Sequence, residues 1–280
     1  MDGCDCEQTL KLIAEGKLYT EPLNMHPHPL MKIDEAYGLF ENLGRKENVM
    51  EDKKEIQEKA ISFRKLYWNY YKQIENDFFS YVPYCELDKQ NDNSFSMRYL
   101  QLILSICGEI DTIFKTFCYS IKSDFDTEKS GIDDYIDIIT NCFPTFATET
   151  VNLLNYQYRT ISPWKAVQYN QIPNWWSSYN KLKHHRDKVE NSRENYKMAT
   201  QKNTIEALSA LYILVEYWTA YTFIINNGGS IEKENAIMPF FKSKEFYMPE
   251  WKFYYCFMGP QEWFDTTLFL EYIKCAKILN

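Results

Sequence analysis

Two stretches of this chain leave little freedom in how they fold. Between Ser96 and Ser123, Leu100, Ile103, Leu104, Cys107, Ile110, Phe114, Phe117 and Ile121 recur at three- and four-residue spacing. Between Thr200 and Asn226, Ala207, Leu208, Leu211, Leu214, Val215, Trp218, Tyr221 and Ile225 do the same. That period gathers apolar side chains into one broad stripe of an α-helix and does not fit the two-residue alternation of a strand. Ser94 or Ser96 is placed to cap the first helix, and Gly228-Gly229 to stop the second.

The same spacing predicts a long helix over about 52–81, with Ile56, Ala60, Phe63, Tyr67, Tyr70, Tyr71, Ile74 and Phe78 on its apolar face and Pro83 beyond its end. A shorter helix is expected over 132–142, before Pro144. Another is expected over 174–190, with Asn174 as its N-cap, and a closing helix over 261–279. Residues 150–164 read as a small hairpin or an extended crossing segment, and 246–259 as aromatic-rich and ambiguous between strand and loop. Only 9 glycines in 280 residues argue against a turn-rich all-β fold. The expected architecture is mainly α: a helical bundle with long antiparallel helices, small extended segments and an aromatic-rich C-terminal extension. Residues 1–50 form an N-terminal extension, 51–228 the helical domain, and 229–280 an extension packed on the bundle.

A net charge of −8 disfavours a general duplex-DNA coat. No apolar run reaches the roughly 18 residues of a membrane span; the longest, around 208–225, is interrupted by Glu216. With no leader-like segment at the start, a cytoplasmic protein with reduced thiols is expected from Cys4, Cys6, Cys85, Cys107, Cys118, Cys142, Cys256 and Cys275. Cys4-Asp5-Cys6 and His26-Pro27-His28 lack the further ligands a metal site needs, so a frayed terminus and a surface turn are the simpler readings. No glycine-rich phosphate loop, dinucleotide fingerprint, Cys-x-x-Cys pair or His-Glu-x-x-His occurs. No cofactor and no metal are expected.

One segment departs from the acidic background. Residues 175–186 read WWSSYNKLKHHR, and hold two of the four histidines. From Asn174 to Asn203 there are seven Lys or Arg against three Asp or Glu. At about 100° per residue, Trp175, Tyr179, Leu182, Arg186 and Val189 share a core-facing stripe. Asn180, His184 and Asp187 form a second ridge, with Lys183 and Trp176 beside it, and His185 points away from both. An Arg on an apolar stripe needs a carboxylate, and Asp111, at the margin of the 96–123 stripe, is the first candidate, with Glu109 second. Such a pair would serve equally as an internal tie between two helices. His184, with an ordinary pKa of about 6.5, can exchange a proton near neutrality. Asn180 and Lys183 beside it can hold a phosphate. Together these groups suit metal-free cleavage of RNA through the ribose 2′-hydroxyl. Trp175 reads as a core anchor, and Trp176 could stack a base. A solvated basic helix face without a role is the plainer alternative.

These residues resemble the HEPN superfamily, the helical domains of many prokaryotic RNase toxins and anti-phage defence proteins. The shared motif is Arg, a polar residue that is often Asn, a short spacer and His on a helix. Tyr179-Asn180-Lys181-Leu182-Lys183-His184 matches the Asn, the spacing and the His, and departs where Tyr179 stands in place of Arg. Cys107–Lys115 (CGEIDTIFK) precedes the motif, and Glu206–Trp218 (EALSALYILVEYW) follows it. The resemblance spans about 96–226. It implies a homodimer whose facing motifs form a metal-independent endoribonuclease in a toxin or defence system, with an antitoxin or defence partner. His184 would be the acid–base group, Asn180 and Lys183 would position phosphate, and Arg186 would be cation or scaffold. Glu109, Asp111, Tyr179 and His185 would support them. The alternative is a non-catalytic dimer of this kind that binds RNA, nucleotide or a partner protein.

Overall fold

Helix starts follow the local chemistry of their caps. The computed structural model describes residues 58, 61–156, 160–190, 192–222 and 243–248. Within them run helices α1 (Asn69–Phe79), α2 (Met97–Ile121), α3 (Ile132–Cys142), α4 (Asn174–His185) and α5 (Gln201–Ala220). Ser96 Oγ accepts the Tyr99 N–H at 3.1 Å to open α2, and Thr200 Oγ1 accepts the Asn203 N–H at 3.2 Å to open α5. Each cap satisfies a donor that the helix itself cannot. At α3, Asp134 Oδ2 accepts the Gly131 N–H at 2.8 Å, and Asp133 and Asp134 complement the positive end of the helix.

The helix leading into α1 departs from the regular 3.6 period. Arg64–Trp68 is a π-helical turn, in which the Asn69 N–H reaches back to the Arg64 carbonyl. The wider turn inserts one residue into the stripe. Phe63, Trp68 and Tyr71 therefore face the core, while Tyr70, expected on the apolar face, is 42 % exposed. Trp68, absent from the expected stripe, is fully buried and donates to Thr219 Oγ1 at 2.8 Å.

The two longest helices run parallel. At their starts Gln201 Nε2 donates to Tyr99 OH at 3.2 Å. At their ends the Phe117 and Trp218 rings lie 4.9 Å apart, and Tyr221 OH donates to the Ser120 carbonyl at 2.9 Å. This pair departs from the antiparallel order expected from the sequence, whereas α1 runs against both. Its end meets the start of α2 through Arg98–Asp77 at 3.3 Å and Phe78–Tyr99 at 6.2 Å. Tyr71 in the first half of α1 meets Tyr212 in the second half of α5, with rings 5.8 Å apart. Parallel neighbours require the chain to return the length of a helix between them, and that return carries α3 and α4.

The core lies between α1, α2 and α5. Ile103, Ile106, Ile110, Ile113, Phe114 and Phe117 on α2, and Leu208, Leu211, Ile213, Leu214 and Val215 on α5, are buried. Each such side chain contributes about 1.5–3 kcal/mol of apolar burial. Cys107, Cys118 and Cys142 are buried free thiols in this core, and burial pushes the Cys107 and Cys118 thiols well up.

Short strands complete the unit. β1 (Asn152–Leu153) pairs antiparallel with β4 (Phe246–Tyr247), and β2 (Val189–Glu190) with β3 (Arg193–Glu194). An antiparallel bridge joins Val151 to Ile161, each N–H donating to the other's carbonyl at 2.8 Å. Residues 243–248 are tied to α1 through Glu75, a fully buried carboxylate. It accepts from Tyr71 OH at 2.9 Å, from the backbone N–H of Lys244 at 3.3 Å and of Glu245 at 3.4 Å, and from Ser243 Oγ. These donors replace the water the charge gives up. All described residues fall within one unit spanning 52–251. No helix among them is long and apolar enough to cross a membrane. Ile56 and Ala60, Cys4, Cys6, His26, His28, Cys256 and Cys275, Gly228-Gly229 and the 261–279 helix lie outside the described residues, as do all of 1–50 and most of 229–280.

Candidate functional site: the basic end of α4

The N-cap of α4 lies one residue earlier than expected. Pro173 takes the N-cap position, and its carbonyl accepts from Trp176 N at 3.0 Å and Ser177 N at 3.1 Å. Asn174 is the first helical residue, and its amide donates to Asn203 Oδ1 at 3.3 Å. Trp175, Trp176, Ser178, Tyr179 and Leu182 are buried. Trp175 Nε1 donates to the Pro163 carbonyl at 2.9 Å. The Trp175 ring lies 5.1 Å from Trp164 and 5.8 Å from Trp176, which in turn lies 5.1 Å from Tyr179. Trp176 is therefore part of this aromatic packing and has no open face for a base.

The helix stops at His185, five residues short of the expected end. Lys188 N and Asn195 Nδ2 both donate to the His185 carbonyl, at 3.1 and 2.9 Å. Tyr196 N donates to the Arg186 carbonyl at 3.2 Å, and Asn195 N to that of Lys188 at 2.9 Å. Carbonyls left open by the last turn are thus taken by the following hairpin. Lys181 Nζ meets Glu190 at 2.6 Å, and Asn195 Nδ2 donates to the same carboxylate at 3.3 Å. These two hydrogen bonds hold the Glu190 carboxyl below the usual range, with the positive charge of Lys181 adding to them. Lys183, His184 and His185 in the last turn also suit the negative end of the helix dipole.

This early stop overturns the placement of Arg186 and Val189. The helical wheel carries them into the core stripe, but the chain has left the helix by then, and both are exposed. No Asp111–Arg186 pair forms. Asp111 instead binds Lys115 Nζ at 3.0 Å, one turn along α2, and accepts from Tyr135 OH at 3.1 Å. Glu109 is half-buried, and burial pushes its carboxyl up to about 7. Among the described residues no hydrogen bond or ion pair joins Glu109 to α4, so neither acid orients this helix through Arg186.

Asn180, Lys183, His184, His185 and Arg186 are all exposed. Asn180 and His184 stand one turn apart. The His184 and His185 rings are 6.3 Å apart and inclined by 56°. Tyr179, standing where the resemblance has Arg, is buried. Burial raises its phenol above the ordinary value, against the pull of Lys183, whose Nζ sits 5.6 Å from the ring centroid. The cations of this region fall into two groups. Lys181, Lys197 and Lys202 pair with Glu190, Glu194 and Glu206, and Arg193 donates to the Lys197 carbonyl at 2.6 Å. Among the described residues Lys183, Arg186 and Lys188 make no ion pair.

Sequence reading missed two neighbours of this turn. Phe95 and Tyr196 lie 5.9 Å apart at 75°, and Lys197 Nζ is 5.7 and 5.8 Å from their ring centroids. Phe95 stands in a polar segment, NDNSFSM, before the α2 cap, where an isolated ring matches no helical period. Among the described residues no group of three or more His, Cys, Asp or Glu is arranged to hold a metal ion. Compared with known proteins, the chain matches no family model, no curated protein and no solved structure.

Proposed function

We propose that the exposed end of α4 binds single-stranded RNA through its phosphodiester backbone, as a non-catalytic, HEPN-like module. The observation that carries this reading is the set of three cations, Lys183, Arg186 and Lys188, exposed at and just past the end of α4 and making no ion pair among the described residues. A charge already paired gains little from a phosphate; an unpaired, solvated one releases the counterions of the nucleic acid when it binds. The buried Tyr179, and an imidazole that no hydrogen bond holds among the described residues, favour binding over cleavage. A general base must be held in line with the proton it removes.

The test is fluorescence anisotropy of a labelled oligouridylate with the full chain against Lys183→Glu/Arg186→Glu/Lys188→Glu. Wild type is expected to bind with a salt-dependent affinity, and the triple variant to lose about two units of the log–log salt slope, near 0.7 per lost phosphate contact. Equal binding and equal slope would remove the proposal.

The exposure of both Asn180 and His184 on one ridge supports a second reading, in which a second copy of the chain completes a metal-independent endoribonuclease. Incubation of RNA with the protein in the presence of a chelator tests it. Cleavage by wild type that disappears in His184→Ala would replace the binding reading with this one.

A further inference from the structure

The side chains first considered for base stacking, Trp175 and Trp176, are buried. The aromatic surface beside the unpaired cations is a different one. Phe95 is 44 % exposed and Tyr196 is half-buried. Both stand on fixed backbone. Phe95 forms a bridge with Thr200, and its neighbours are pinned by Gln201 N to the Ser94 carbonyl at 2.9 Å and Ser96 N to the Ala199 carbonyl at 3.4 Å. Tyr196 is fastened to the turn itself, since its N–H donates to the Arg186 carbonyl. The two rings therefore meet the cationic turn through one short stretch of backbone, with Lys197 over both and the Arg193 guanidinium bound to the Lys197 carbonyl.

We infer that Phe95, backed edge-on by Tyr196, is a stacking platform for an unpaired base of the RNA whose phosphates meet Lys183, Arg186 and Lys188. This rests on the binding reading above and adds a base-contacting subsite to it. An exposed ring on rigid backbone loses little freedom when a base covers it. A nucleotide needs a π face for its base and a positive charge for its phosphate; Phe95 offers the first, and Lys183, Arg186 and Lys188 the second. The charge argues for a nucleic acid over an apolar protein helix: Lys197 lies beside both rings and the Arg193 guanidinium is bound to its carbonyl, and an apolar partner would have to desolvate these groups.

The experiment compares wild type, Phe95→Leu and Phe95→Trp, full chain, against two probes: a labelled oligouridylate and inorganic polyphosphate, which carries the charge without bases. Leucine keeps apolar bulk and removes the π face, so circular dichroism is expected to stay unchanged. Phe95→Leu is expected to weaken oligouridylate by about tenfold, the effect of one stacked base, and to leave polyphosphate binding as in wild type. Phe95→Trp is expected to restore or exceed the wild-type RNA affinity. Unchanged RNA binding in Phe95→Leu, or an equal loss for both probes, would overturn the platform. If the triple charge variant loses RNA binding while Phe95→Leu does not, the platform alone falls. If wild type binds neither probe, the binding reading falls and the platform with it.

Discussion

The two ends of α4 differ in almost every physical respect. Its first half packs Trp175, Trp176 and Tyr179 into a wall of rings, with the Trp175 indole hydrogen-bonded to Pro163. From Lys183 to Lys188 every residue is exposed, and three of the cations make no ion pair among the described residues. The difference shows where the stability of the helix resides. Buried rings fix it in place, and nothing in the core depends on the solvated charges at its end.

The sharpest way to break this contrast is Trp175→Ala, which removes a fully buried indole and its hydrogen bond. A loss of about 3–5 kcal/mol is expected in urea denaturation; a loss under about 1 kcal/mol would mean the first half does not anchor the helix. Glu109 gives a smaller effect, with a sign. Its folded carboxyl titrates near 7 against an ordinary 4.5 because burial disfavours the charge. The folded protein holds a proton there that the unfolded chain has already released, so the contribution of Glu109 to stability falls as pH rises from about 4.5 through 7. Glu109→Gln removes that slope. Because the carboxyl still meets solvent, the full shift is discounted, and a gain of about 1 kcal/mol is expected above pH 7, with none below 4.5. Identical pH–stability curves for the two proteins would show that Glu109 is well solvated. The smallest effect belongs to the last turn. Arg186→Ala and Lys188→Ala are each expected to change stability by less than about 0.5 kcal/mol, and a larger loss would make this turn part of the scaffold.

The regular parts of the fold were legible from spacing and caps. Ser96, the 132–142 helix bounded by Pro144, and the apolar stripes of α2 and α5 follow from local chemistry, which a sequence carries in full. What failed was what depends on geometry between elements. Trp68 and Tyr70 were assigned to the wrong sides because one π turn shifts the stripe, and no residue type signals such a turn. Arg186 was drawn into the core by extending α4 past His185; the stop is set by Asn195, Lys188 and Tyr196, which reach back from the next hairpin. Asp111 was given a distant partner when Lys115, one turn away on its own helix, was nearer. At the candidate site, the exposure of Asn180 and His184 on one ridge could be read from the period. The aromatic pair Phe95–Tyr196 could not, because its members are a hundred residues apart and meet only through tertiary structure.

The parallel course of α2 and α5 bears on how the chain reaches its native state. The hydrogen bond from Gln201 to Tyr99 spans 102 residues and that from Tyr221 to Ser120 spans 101; no shorter loop can bring these partners together. Such distant pairing costs chain entropy before it yields contact, which slows the search for the native state. A nascent chain leaving the ribosome must hold the α5-facing side of α2 uncovered until the last of these partners has been synthesised. That interval, more than any feature of the finished molecule, is when this protein is most exposed to aggregation.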